Sequence, residues 1–237
     1  INGSLGVTAK GGEFRNTSKG VINTNNIGIY GENKMDGTTV EASSDITNEG
    51  TINVNSDNGI GVLITGAGSK FTQKNGGIAS DENSTIGIGV TNGAESELSG
   101  GSITSKGLAG KGVYVEGVVT DGTVSRNSTF TLTSGSISTD ENGIGIVSKN
   151  GGQVILGAGT VAVKDNGVGV YLDKYSSISS GTLNFKYIPS TASNKGIGIY
   201  YDGDPENMAA KTNNASVNIL EGTNIINIYS KDVSLSN

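Results

Sequence analysis

ENGIGIVS, residues 141–148, sets two glycines around an isoleucine directly behind an asparagine. Such a stretch is either half of a phosphate-cradling loop or a structural element. A dinucleotide loop needs G-x-G-x-x-G closing a strand and opening a helix. Position 148 is serine, and Lys149-Asn150-Gly151-Gly152 forms a turn, not a helix start. Recurrence decides the matter. The motif aligns as Leu5-Gly6-Val7, Ile27-Gly28-Ile29, Ile60-Gly61-Val62, Ile88-Gly89-Val90, Val113-Tyr114-Val115, Ile144-Gly145-Ile146, Val168-Gly169-Val170 and Ile197-Gly198-Ile199. Successive central residues lie 22, 33, 28, 25, 31, 24 and 29 apart, within the range of solenoid repeats. Asn58-Gly59, Asn142-Gly143 and Asn166-Gly167 precede copies with the left-handed backbone that a sharp corner requires.

Between these copies runs a second element, a glycine corner followed by a short alternating strand. It reads NEGTINV (48–54), NGGIAS (75–80), SGGSITS (99–105), TSGSIST (133–139), GAGTVAV (157–163), SGTLNF (180–185) and LEGTNI (220–225). A third apolar stretch precedes it at Phe71, Leu98, Phe130, Val154, Ile178 and Val217. Three short strands per unit without a helix predict an all-β chain, a parallel β-helix of about 7–8 coils. Residues 1–237 form a single such segment. At about 4.8 Å per rung the rod is roughly 35–40 Å long. Unbroken alternation sends Ile144 and Ile146 inward and Gly145 outward. The central glycines then form a bare outer strip, interrupted where Tyr114 takes a glycine place. The closing NIINIYS (224–230) is apolar and strand-prone and is expected to stack on a further coil.

The chain has no Cys, no His and no Trp among 237 residues, and a net charge of −6. That removes Ser-His-Asp and Cys-His nucleophile systems and nearly all zinc chemistry. An acidic balance without a Lys/Arg cluster argues against nucleic acid. No apolar run is long enough to span a membrane as a helix. The adjacent acids Asp81-Glu82 and Asp140-Glu141 recur at equivalent corners and read as turn residues, so no catalytic residue is assigned and an enzyme is not expected. No cofactor or metal is expected either. Asp202, Asp204 and Glu206 alternate as calcium ligands do, but lack the spaced bidentate glutamate.

Repeating NGIGI, KGVYV and NGVGV strands with SGGSI and SGTL corners, rich in Gly, Asn and Ser, resemble the passenger domains of type V autotransporter adhesins. The GIGIY variety is similar to the large fusobacterial outer-membrane adhesins. The resemblance covers nearly the whole chain and carries no catalytic motif. It implies a right-handed β-helix outside the cell, anchored to the outer membrane through a C-terminal β-barrel beyond this sequence, and neighboured by further coils of the same chain. It implies a virulence-related binding role towards a host or bacterial surface protein or glycan. A structural spacer and a β-helical polysaccharide-degrading enzyme are the alternatives.

Two features are candidates for such a partner-binding surface. One is the outward positions following the motif, which include Tyr30, Tyr171 and Tyr200, with Tyr114 nearby; Tyr171 and Tyr200 should stack on successive coils. The other is three long excursions, 30–45, 116–129 and 201–215, leaving one corner type at three-coil intervals. They carry Lys34, Asp121, Asp202 and Asp204. Loops on a rigid scaffold are where binding usually resides.

Overall fold

Isoleucine and valine at alternate positions favour extended backbone, and no single coil buries them alone; stacking joins them into one column. The computed structural model, which describes residues 1–230 and the strand Val233–Leu235, is a β-solenoid of about nine turns. Strand makes up 62% of it and helix 3%. A full coil places one strand on each of three faces, except near the C-terminal end, where a short helix replaces the third-face strand, and parallel ladders run along the axis. The first face carries the motif strands: Asn2–Lys10, the second half of Val21–Glu32, Ile60–Thr65, Ile86–Thr91, Lys111–Glu116, Ile144–Lys149, Val168–Asp173, Gly196–Asp202 and Ile225–Ser230. The second face runs from the start of Val21–Glu32 through Thr51–Val54 to Thr182–Ile188 and Ser216–Glu221. The third is a seven-stranded sheet from Glu13–Asn16 to Ser177–Ser180.

The ladder corrects the repeat alignment at two coils. Ile60 pairs with Ile86 and Ile86 with Lys111, so the fourth and fifth copies are Ile86-Gly87-Ile88 and Lys111-Gly112-Val113. Tyr114 therefore replaces no glycine; it pairs with Gly89 and Val147, one position beyond the core column. At the C-terminal end the second-face strand is Ser216–Glu221, and LEGTNI covers only its last two residues and the corner leading into Ile225–Ser230.

The glycine column is real but faces the interior, opposite to the expectation. Gly145 and Ile146 are both buried while Ile144 is half-exposed, so the alternation breaks at the glycine. A Cβ on Gly145 would overlap Val161 Cγ1 and stand 2.7 Å from the Gly169 carbonyl. On Gly28 it would stand 2.7 Å from Ile52 Cγ2. Each column glycine thus vacates the space that the next coil's second-face side chain fills, from Ile22 through Ile137 to Val161. These side chains, with Ile29, Val62, Ile88, Val113, Ile146, Val170 and Ile199, form the continuous core.

Corners stack as regularly as strands. Asn58, Ser84, Ala109, Asn142 and Asn166 all take φ of 55–60°. The N–H of Ala109 donates to the Glu141 carbonyl at 3.0 Å, and that of Asn142 to Asp165 at 2.9 Å, carrying the ladder through the turn. Polar ladders run inside as well: Asn16 Nδ2 donates to Asn48 Oδ1 at 2.7 Å, and Asn48 Nδ2 to Gln73 Oε1 at 2.8 Å. Further along, the same column becomes Leu98, Leu132 and Leu156. At the C-terminal end, the antiparallel strand Val233–Leu235 pairs with the outer edge of Ile225–Ser230, where a further coil had been expected to stack.

Candidate ligand-binding face

The first face presents three outward columns. One is aliphatic and half-exposed: Ile27, Ile60, Ile86, Ile144, Val168 and Ile197, broken by Lys111. Next to it, the register partners of Tyr30 stand in a single line: Thr8 before it, then Leu63, Gly89, Tyr114, Val147, Tyr171, Tyr200 and Tyr229. All four sequence-predicted tyrosines belong to this column. Tyr171 and Tyr200 stack at 5.5 Å between ring centroids, 13° from parallel, and Tyr200 continues to Tyr229 at 5.1 Å. Thr91 and Glu116, which directly follow the uncorrected motif copies Ile88-Gly89-Val90 and Val113-Tyr114-Val115, stand two positions further on.

That third column is polar and includes Glu32, Glu116, Lys149, Asp173 and Asp202. It supplies the tyrosine hydroxyls with acceptors. Tyr30 donates to Glu32 at 3.0 Å, and Tyr171 to Asp202 at 2.7 Å. Burial raises the Tyr114 hydroxyl to about 12, with help from Glu116 and Asp173. Burial likewise raises Tyr171, followed by its hydrogen bond to Asp202. Lys111 is lowered, chiefly by burial and then by repulsion from Lys149.

The excursions leave the edge of this face. The first is an antiparallel hairpin, Lys34–Asp36 with Thr39–Ala42, and the second pairs Val118–Thr120 with Thr123–Arg126. Asp121 sits at the second tip with φ 50°, followed by Gly122 at 75°, the two-residue turn that suits strand twist. Lys34 is held across the first hairpin by Glu41 at 2.7 Å. The third excursion does not project. It forms a 3-10 turn at Pro205–Asn207 and the helix Met208–Thr212, which takes the place of a third-face strand beside Ser177–Ser180. Thr212 is buried, Met208 packs on the core, and Asn213 Nδ2 bonds the Ser179 carbonyl. Asp204 caps the 3-10 turn, accepting from Glu206 N at 3.1 Å. Asp204 is therefore a positioning residue of an edge cover, not part of a displayed loop. Asp202 alone of this segment joins the tyrosine face.

Between the hairpins lies a groove of about 280 Å³, with Met35, Thr38 and Val40 on one wall, Thr65 and Gly66 below, and Arg126 opposite. The sequence reading missed it, because Arg126 reaches the groove from the far strand of the second hairpin. Comparison of the chain with family models, with characterised proteins and with solved structures finds no match. The acidic corner pairs are tied across coils, Asp81 to Lys106 at 3.2 Å and Asp140 to Lys164 at 3.0 Å. Glu95 and Glu97 share the outward side of the third face, a pair the sequence reading overlooked. Glu95 is bonded to Lys70 at 3.3 Å, and Glu97 accepts from Thr133 at 2.6 Å. Among the described residues no group of three acidic side chains is arranged to hold a metal ion.

Proposed function

We propose that this chain is a segment of a surface-displayed adhesin, a rigid β-helix whose tyrosine face and paired hairpins bind a protein or glycan on a host or bacterial surface. The observation that carries the reading is the meeting of two features on one flank. An aromatic column and two projecting hairpins share an edge, on a scaffold whose ladders hold them fixed. Tyrosine brings large contact area with little loss of side-chain freedom, and rigid display lowers the entropy cost of binding. The role is binding without catalysis, in a protein carried outside the cell by a longer chain anchored in the outer membrane.

A spacer role is the second reading, favoured by the tyrosine hydroxyls bonding to Glu32 and Asp202 within the rod. Cell-binding and glycan-array measurements separate the two. The intact chain should bind. Replacing both hairpins by Asn-Gly turns, or changing Tyr171 and Tyr200 together to serine, should reduce binding at least tenfold. Undiminished binding in both variants, or none by the intact chain, overturns the adhesin reading and leaves the spacer.

A further inference from the structure

Arginine occurs twice in the chain, and its two copies are used differently. Arg15 Nη2 holds both carboxylate oxygens of Glu49 at 2.8 Å. Arg126 makes one bond, from Nη1 to the neutral Asn92 Oδ1 at 2.8 Å, and has no acidic partner among the described residues. The carboxylate of Glu32, which also lines the groove, is occupied by Lys10 at 3.2 Å and by the Tyr30 hydroxyl at 3.0 Å. The groove therefore holds one uncompensated positive charge in a molecule of net charge −6.

We propose that this groove takes a carboxylated sugar residue, its carboxylate on Arg126 and its apolar face or N-acyl methyl on the Met35–Val40 wall. The inference rests on the adhesin reading and names the ligand class of one part of that surface. The Asn92 bond fixes Nη1 and leaves Nε and Nη2 as a planar fork, the geometry that grips a carboxylate with two parallel bonds. The arginine stem is placed in advance, since it crosses Gly93, where any Cβ would overlap it. Opposite, Met35 and Val40 are 46% and 43% exposed, a polarizable apolar wall without a covering element. Thr38 and Thr65 offer hydroxyl partners to a ring's own hydroxyls. At about 280 Å³ the space lies at the lower end of small-ligand sites and suits one or two rings. Hairpins three rungs apart, about 14 Å, leave room across the groove for only about four residues of extended peptide.

The test is an NMR titration of the ¹⁵N-labelled chain with N-acetylneuraminate, glucuronate, N-acetylglucosamine and an N-acetylated tripeptide bearing a free C-terminal carboxylate. Both acidic sugars should shift the amides of Gly66, Ala67 and Asn92 with millimolar affinity, and the neutral sugar should bind at least tenfold more weakly. Arg126→Gln should weaken the acidic sugars at least tenfold, and Met35→Ser about threefold, with the remaining amide spectrum of each variant unchanged. No shift with either acidic sugar, equal binding of the neutral sugar, or an unaltered response in Arg126→Gln would overturn the proposal. Tighter binding of the tripeptide than of both sugars would assign the groove to peptide termini and also overturn it. Full cell binding by Arg126→Gln would remove the groove from adhesion while leaving the tyrosine-face reading intact.

Discussion

A methyl group at Gly145 would meet a neighbouring coil's valine and carbonyl together, and neither has room to retreat in a stacked core. Gly145→Ala should therefore destabilise by about 1–3 kcal/mol, the usual cost of overpacking, read from urea unfolding. An unchanged midpoint would mean that the column faces outward after all. Ser96 makes the opposite case. It is buried between Phe71 and Phe130 in the third-face ladder, and its hydroxyl has no partner. Ser96→Ala should be neutral or stabilising by up to about 1 kcal/mol, since it removes an unsatisfied polar group. Asn48 donates to Gln73 Oε1 and accepts from Asn16 Nδ2, so Asn48→Ala leaves the buried Gln73 oxygen without its donor and Asn16 Nδ2 with only a long bond to the Gly20 carbonyl, and should cost about 1–3 kcal/mol. The side on which Gly145 lies was not legible from period-two alternation, because that rule assumes an unbroken pleat and the pleat breaks at the glycine. The frame at Ile86-Gly87-Ile88-Gly89-Val90 was equally hidden: the segment contains the motif twice, and only the ladder distinguishes the copies.

Elements were more legible than registers. Apolar triplets at 22–33 residue intervals are enough to specify three strands per coil, because nothing but stacking buries them. Tyr30, Tyr171 and Tyr200 followed from the motif itself, each lying one step past a core residue, whereas Tyr114 joins their column only once the ladder corrects its frame. The cover formed by Met208–Thr212 was not legible, since its role exists only beside the exposed edge of Ser177–Ser180. The hairpins pair only with themselves, so replacing 34–42 or 118–126 by a two-residue turn should shift the melting temperature by only a few degrees. The tyrosine face also predicts an alkaline response. A hydroxyl raised on folding supports the native state below the ordinary tyrosine range and loses that support as pH climbs through its folded value. For Tyr114 the window runs from pH 10 to about 12. Melting temperature should hold up to pH 10 and then fall, and Tyr114→Phe should flatten part of the fall; an identical decline in the variant would place the cause elsewhere.

At the scale of the molecule, coils contact mainly their neighbours, and stability is close to a sum of rungs and the interfaces between them. The register pairs Ile60 with Ile86 and Ile86 with Lys111, so excising residues 86–110 removes one rung and brings matching positions together. The shortened chain should keep its β circular dichroism and a cooperative melt; loss of either would contradict the coil boundaries. The ladders also run along the rod while the chain runs around it. Pulled by its two ends, such a molecule has no reason to fail all at once. It should pay out one coil at a time from a frayed end, each release freeing the 22–33 residues between register partners, about 7–12 nm of slack. Under flow, a tether of this kind gives way in steps and keeps its remaining coils folded.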